Sequence, residues 1–396
     1  MQVKGVFNFM NDLETLRKKI DDIDKEIVAL YEKRMNAVLG VADYKDKNSV
    51  PILNTSREND VLDKNLKLLK NKDYKKPTEE LLKAIMSISR NFQSSKIFSV
   101  AKAKNNSSIN ALKYILKKDD DVKKCSVGFQ GVPGSFSEEA LIKYFGNNVI
   151  SQNFEEFEDV FIAIKSGKLD YGVLPVENSS TGGISEVYEL LRKYGLYITG
   201  EKCIKISHNL LGLKGSKLED IKEVYSHPQA FEQSNVFFKN HPSLKLIPYY
   251  NTATSAEFVS KENDNTIAAV ASEKAAELYN LDILKKDINY NTQNFTRFII
   301  IGKNAELDEN CGKISVVITV PHKTGSLYNI LSNFAHNNLN MMKIESKPIE
   351  GTPWEYFFYI DFEGNITNPE IKKAIAIIES SCSYFKLLGN YKGDIQ

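Results

Sequence analysis

Three short stretches gather side chains that could move a proton or hold an anion. Asn294-Phe295-Thr296-Arg297-Phe298 sets a hydroxyl beside a guanidinium. A guanidinium receives a carboxylate through two parallel N–H donors, so Arg297 suits a bidentate grip on an acidic substrate. Gly172-Val173-Leu174-Pro175-Val176-Glu177-Asn178-Ser179-Ser180-Thr181-Gly182-Gly183 is an apolar run that ends in hydroxyls, an amide and glycines. Ligands of α/β folds bind at such strand ends. Tyr225-Ser226-His227-Pro228-Gln229-Ala230-Phe231, with Gln233 just beyond, repeats the theme. His227 invites assignment as a base, but Pro228 follows it and the segment reads as a turn. Gly128 to Ser137 leaves a strand and opens a helix, a turn whose N–H groups can face an anion. Taken singly, each stretch is also readable as an ordinary polar loop with caps.

The first hundred residues suggest different chemistry. Arg34 and Lys45 are 11 residues apart, about three helical turns, so they share a face some ~16 Å apart. Two long side chains reaching inward could grip one small dianion. Ser89 and Gln93, four apart, also share a face. Arg17 lies 17 residues before Arg34, about 25 Å along the axis. One small ligand cannot touch both from one straight helix. If both serve one site, Arg17 comes from a second subunit, which predicts an obligate dimer of interlocked long helices. Singly, these cations also read as the solvated face of a helix.

The elements that must position these groups follow from periodicity. Leu13, Leu16, Ile20, Ile23, Ile27, Leu30, Val38 and Val41 recur at helical spacing and predict one helix over 11–46. Asn48 to Pro51 breaks it; a second helix runs from about 54 to 69 and a third from Pro77 to 96. Residues 8–96 thus form an all-α three-helix domain, preceded by a short disordered lead-in. Residues 97–124 read as a polar linker with one short helix at 111–117. Over 125–303, short apolar runs at 126–129, 169–175, 223–226, 266–271 and 297–301 alternate with helical sequence, which predicts an α/β domain. Residues 312–396 read strand-helix-strand-strand-helix-strand, the ferredoxin-like α+β order.

Composition narrows the function classes. Of 396 residues, 26% are charged, and the formal net charge is +1, so no bulk basic field draws nucleic acid or membrane. Any anion site must be built locally. Cys125, Cys203, Cys311 and Cys382 are far apart, which argues against disulfide or zinc frameworks and for reduced thiols in the cytoplasm. No H-E-x-x-H pattern, membrane span or signal peptide is legible. No metal or cofactor is expected.

Three resemblances organise these residues. Leu16-Arg17-Lys18-Lys19-Ile20-Asp21, the Arg34 segment, Val41-Ala42-Asp43-Tyr44-Lys45, Pro51 with Arg57-Glu58, and Ser89-x-x-x-Gln93 together resemble the all-helical chorismate mutases. The resemblance implies that Arg17, Arg34 and Arg57 bind the two carboxylates of chorismate. Lys45 and Gln93 would donate to the ether oxygen, while Glu58 and Ser89 hold the ring hydroxyl and a carboxylate. Such a rearrangement needs a folded substrate conformer and donors on the oxygen that gains charge. Asn54 stands where that family often has Asp.

The Glu177-Asn178-Ser179 row, the Ser226-His227-Pro228-Gln229 segment and Thr296-Arg297-Phe298 resemble the prephenate dehydratase catalytic domain, whose fold implies a periplasmic-binding-protein-like α/β architecture. Thr296 occupies the position of the general acid that protonates the departing hydroxyl. Asn178, Ser179, Thr181, Ser226 and Gln233 would orient the substrate, with Arg297 and Phe298 beside it. Gly325-Ser326-Leu327 and Glu345-Ser346-Lys347-Pro348 resemble an ACT domain, a regulatory module that binds amino acids. Phenylalanine is the implied inhibitor; Ser326 and Lys347 replace the Ala and Arg of phenylalanine-sensing relatives.

The combined expectation is a feedback-inhibited enzyme of phenylalanine biosynthesis that converts chorismate to prephenate and then to phenylpyruvate. It would act as a homodimer, with tetramer formation left open. The rival readings are arogenate dehydratase activity in the central domain and a non-catalytic amino-acid-binding regulator.

Overall fold

No proline interrupts the chain before Pro51, so nothing stops the first helix early. In the computed structural model, which describes residues 3–48, 50, 54–97, 114–116 and 125–394, that helix (α1) runs Val3–Lys47. The lead-in expected to be disordered is therefore helical from Val3. Helix α2 (Thr55–Lys67) is capped by Asn54, whose side chain accepts from the Arg57 N–H at 3.0 Å. A single 3₁₀ turn, Lys72–Tyr74, leads into α3 (Lys75–Ile97). Ala42 is buried on α1, yet Leu13, Leu16, Ile20, Ile23, Ile27 and Leu30 on the same stripe remain 48% to 63% exposed. Most of the apolar stripe is thus exposed, Val41 included at 47%.

The chain divides into two units, Met1–Asn110 and Ala111–Gln396. The second unit begins, among its described residues, with strand β1 (Tyr114–Leu116). It pairs in parallel with a strand at 305–307, so the helix expected at 111–117 is instead a strand there. Then follow β2 (Ser126–Gln130), α4 (Phe136–Phe145), β3 (Ile150–Phe154), α5 (Phe157–Lys165), β4 (Tyr171–Asn178), β5 (Gly182–Gly183), α6 (Ser185–Tyr194) and β6 (Tyr197–Lys205). A second lobe holds β7 (Asn209–Gly212), β8 (Glu223–Ser226), α7 (Pro228–Gln233), α8 (Asn235–Lys239), β9 (Lys245–Pro248), α9 (Thr252–Glu262), β10 (Ile267–Ala271), α10 (Glu273–Leu278) and β11 (Asp282–Lys285). The chain returns through β12 (Phe295–Gly302) and β13 (Ala305–Leu307). It ends in β14 (Lys313–Thr319), α11 (Ser326–His336), β15 (Met341–Pro348), β16 (Tyr356–Glu363), α12 (Pro369–Ser380) and β17 (Tyr384–Tyr391).

The smaller sheet has the order β11-β7-β10-β8-β9. The larger runs β15-β16-β14-β17-β6-β12-β4-β2-β3, so the C-terminal βαββαβ module shares one sheet with the α/β domain. The seam between them is a single parallel pair, Gly389 with Ile198. A Cβ at Gly389 would lie 2.2 Å from the Ile198 carbonyl oxygen, so only glycine lets the two strands meet. Behind the seam, Val317, Tyr359, Leu388 and Tyr391 share one core with Phe161, Tyr188 and Leu191. Among the described residues no helix is long and apolar enough to cross a membrane.

Gly389→Val is expected to destabilise the chain by about 1–3 kcal/mol through overpacking, read from urea denaturation. Gly312→Ala, with nothing within 4 Å of its added Cβ, should stay within about 0.5 kcal/mol of the parent. Equal stability of both variants would show that the seam tolerates separation.

Candidate functional site

Where the two lobes face each other, a cavity of about 330 Å³ opens. From the larger lobe it is lined by Gln130, Ser135, Pro175, Asn178, Thr296 and Phe298; from the smaller by His227, Gln229, Gln233, Asn251 and Thr252. Thr296 and Phe298 are two apart on β12, so both point into the cavity. Asn178 Oδ1 accepts from the N–H groups of Ser180 and Thr181, at 2.9 and 3.1 Å. That fixes its amide, and Nδ2 donates to Thr296 Oγ1 at 2.9 Å and to Asn294 Oδ1 at 2.8 Å. Thr296 thus accepts from Asn178 and keeps its own proton to donate.

The lining contains no Asp, Glu, Lys or Arg. Its positive character comes from the backbone. The N-cap residues of α4, α6, α7 and α9, which are Ser135, Ile184, His227 and Asn251, all lie on the wall. A helix N-terminus carries a partial positive charge, and at α4, α7 and α9 a side-chain cap takes one of its N–H groups.

Arg297, expected to grip a substrate carboxylate, does not face the cavity. It alternates with Thr296 along β12 and points to the opposite side of the sheet. There Nε donates to Glu201 Oε2 at 2.9 Å, Nη1 lies 2.7 Å from Asp361 Oδ2 and 3.3 Å from Glu177 Oε2, and Nη2 donates to the Tyr391 hydroxyl at 3.2 Å. Burial opposes the guanidinium charge, but Tyr391, Asp361 and Glu201 outweigh it and raise the pKa. Lys313 bonds Glu201 at 2.8 Å, and Lys343 bridges Glu177 at 3.1 Å and Glu345 at 3.0 Å. The row holds three cations and four carboxylates, across both the α/β domain and the C-terminal module.

Two other expected substrate contacts serve the scaffold. Ser226 is fully buried and donates to the Val270 carbonyl at 2.8 Å. Ser179 Oγ is held between Gln293 O and the Phe295 N–H, at 3.1 and 2.9 Å. Neither lines the cavity. Thr181 does, and accepts from Gln229 Nε2 at 3.1 Å across the mouth. His227 caps α7 through Nδ1, which accepts from the Gln229 N–H at 3.2 Å. Gln229, Asn251, Thr252, His208 and Asn294 escaped the sequence reading as site residues. Asn294 was within reach of it, two residues before Thr296 on one strand face. His208, on a crossing between lobes, has no periodic signal.

In the helical unit, α1 and α3 bring Arg34 and Ser89 together: Nη1 donates to Oγ at 2.5 Å, and Ser89 in turn donates to the Ile85 carbonyl at 2.6 Å. Gln93 is buried one turn further along, its Oε1 without a partner among the described residues. Lys45 is half-buried on the last turn of α1. Glu58 ion-pairs with Arg90, a residue the sequence reading passed over, while Arg57 is exposed. Arg17 is exposed in the uncovered half of α1, and Pro51 lies outside the described residues.

The two C-terminal motifs separate. Gly325, at φ +83°, caps α11. Ser326 and Leu327 line a cavity of about 660 Å³ with His322, Trp354 and Tyr356. Glu345 and Lys347 instead face the α/β domain: Glu345 abuts Gly183, just past the Asn178 loop, and Lys347 pairs with Glu189 at 2.6 Å. Ser346 and Pro348 alternate to the exposed face. Within one chain, the motifs do not form a single pocket.

Fold and cleft define a two-unit enzyme: a helical unit with a half-buried Arg beside a buried Ser and Gln, and an α/β unit with a neutral cleft. The family model for chorismate mutase type II matches residues 16–94, and that for prephenate dehydratase matches 127–306. A bifunctional chorismate mutase/prephenate dehydratase of Buchnera aphidicola subsp. Acyrthosiphon pisum (strain APS) is 34% identical over 392 residues, 97% of each chain. An arogenate dehydratase/prephenate dehydratase from Arabidopsis thaliana chloroplasts is 35% identical over 71% of this chain and 75% of its own. A crystal structure of prephenate dehydratase in complex with L-Phe from Arthrobacter aurescens is 28% identical, with a TM-score of 0.62, over 67% of this chain and 90% of that one. The chain belongs to the bifunctional chorismate mutase/prephenate dehydratase family of phenylalanine biosynthesis.

Arg297→Met strands Glu201 and Asp361 without their shared cation. It is expected to cost about 3–5 kcal/mol, as removal of one member of a buried ion pair does, read as a lower denaturation midpoint. Unchanged stability with a raised KM for prephenate would restore the substrate grip first expected of this residue.

Proposed function

We propose that Thr296 is the general acid of the dehydratase, and that the cleft takes prephenate in preference to arogenate. The carrying observation is the neutral cleft itself, ringed by helix N-termini with the Thr296 hydroxyl on its wall. The Thr296 proton goes to the ring hydroxyl as the C–O bond breaks and water leaves. The ring carboxylate departs as carbon dioxide, and its electron pair completes the aromatic ring. Asn178 Nδ2–H stabilises the threonine oxygen left behind. A carboxylate held by backbone dipoles and neutral amides is not pinned by a salt bridge, which suits a group that must leave as neutral gas. Arogenate carries an ammonium that such a wall gives no carboxylate to meet. Thr181, Gln229, Gln233, Asn251 and Thr252 would hold the substrate, over Phe298.

For the mutase, Arg34, Lys45, Ser89 and Gln93 would line one site that Arg17 of a second copy completes. The uncovered stripe from Leu13 to Leu30 supports a homodimer through α1. Feedback inhibition by phenylalanine would act through residues 312–396 as an ACT domain, with Gly325, Ser326 and Leu327 at the ligand. The domain limits would be 8–96, 125–303 and 312–396, joined by the 97–124 linker. Four cysteines set far apart in the sequence suit a reduced, cytoplasmic setting.

Supplied to the purified chain, prephenate should yield phenylpyruvate with a kcat/KM at least about tenfold above that for arogenate, the worth of one unmet buried charge or more. Thr296→Ala should abolish this step and leave chorismate consumption intact. Equal use of arogenate, or an active Thr296→Ala, would sink the respective assignment.

A further inference from the structure

Thr296 ends a line of buried side chains that reaches a crossing between the lobes. His208 lies on the crossing from β6 to β7. Its N–H donates to Asn289 Oδ1 at 3.0 Å, and its carbonyl accepts from the Ile288 N–H at 2.8 Å, so it is pinned to the return crossing before β12. His208 Nε2 meets Gln233 Oε1 at 2.8 Å. Gln233 Oε1 also accepts from Asn294 Nδ2 at 3.2 Å, and Asn294 Oδ1 accepts from Asn178 Nδ2, which in turn serves Thr296. None of these five side chains is more than 9% exposed.

The donor direction along this line is forced. Asn178 Oδ1 is occupied by two backbone N–H groups, so Nδ2 must be the end turned to Thr296 and Asn294. Asn294 therefore offers its oxygen to Asn178 and its nitrogen to Gln233. Gln233 must then present Oε1, and His208 must carry its proton on Nε2. Burial lowers the imidazole pKa and favours this neutral form.

We propose that His208 and Asn294 are positioning residues of the dehydratase, which hold Gln233 and Asn178 so that the Thr296 proton is aimed into the cleft. This rests on the reading of Thr296 as the acid. The Gln233–Asn294 step crosses from the smaller lobe to the larger, so the line is complete only at this lobe spacing. Without the Nε2–H donor, the Gln233 carboxamide is free to turn its NH₂ toward Asn294, where two donors would face each other. The loss propagates to Asn178 and appears more in the chemical step than in binding.

The test uses the full-length chain, with mutase activity as an internal control. His208→Leu should lower dehydratase kcat about 10- to 100-fold, the usual effect of a misplaced reacting group, with KM within about twofold. His208→Gln, which returns an N–H donor, should recover most of it. Asn294→Asp keeps the acceptor for Asn178 but loses the donor to Gln233, and should fall as far as His208→Leu. The double variant should fall no further than either one, because both break one line. His208→Leu with the parent's kcat, or independent, multiplying losses in the double variant, would overturn the proposal. Should His208→Leu fail to fold, Asn294→Asp decides alone: a kcat equal to the parent's overturns it. A parent inactive on prephenate, or an active Thr296→Ala, would instead mark the failure of the reading beneath it.

Discussion

The ion row centred on Arg297 constrains everything else in the second unit. Along the larger sheet, β15 and β4 are six strand steps apart, which would separate them by about 29 Å in a flat sheet. Lys343 on β15 nevertheless reaches Glu177 on β4 at 3.1 Å. The sheet must therefore fold over itself, and it does so at the narrow Gly389–Ile198 seam. Arg297 and Glu201 lie on the α/β side of that fold, Lys313 and Asp361 on the other. Charges this deeply buried are tolerated only when mutually paired, so the row dictates how the C-terminal module docks.

The same alternation that gives the row its arginine takes a cation away from the cleft. Thr296 and Phe298 face one side of β12; Arg297 faces the other. What remains in the cleft is a wall of amides, hydroxyls and helix N-termini. Helix N-termini favour an anion without supplying a fixed counter-ion. It also keeps Thr296 in a chain of neutral hydrogen bonds whose direction is set by backbone N–H groups.

Much of this architecture was legible from periodicity. The long helix ends one residue past its expected limit at 46, though it begins at Val3 rather than 11, and the C-terminal strand-helix-strand-strand-helix-strand order is the expected one, because the apolar spacing of both is regular. The strand at Tyr114–Leu116 was not legible: three residues carry no period, and its partner at Ala305 lies far along the chain. The placement of Arg297 shows a different failure. Adjacent residues in a strand cannot share a face, so Thr296 and Arg297 could not both serve one cleft, and the alternation was available in the sequence. Ser226 was misjudged because a hydroxyl in a conspicuous segment is as able to satisfy a buried carbonyl as to meet a ligand.

Glu177 and Asn178 are neighbours on β4, and Arg297 and Thr296 are neighbours on β12. On each strand one residue belongs to the ion row and the next to the hydrogen-bonded line in the cleft. The backbone joins them, so Thr296 cannot be moved independently of the row. Glu345 on β15 stands against Gly183, just past the loop whose N–H groups orient Asn178. Breaking a buried pair costs about 3–5 kcal/mol, whereas ligand coupling between sites typically needs only about 1–3. A ligand that shifts β15 therefore need not dissolve the row. Lys343 and Glu345 touch Glu177 and the strand just past the Asn178 loop, so β15 is joined by direct contacts to the backbone that carries Asn178, and through Asn178 to Thr296.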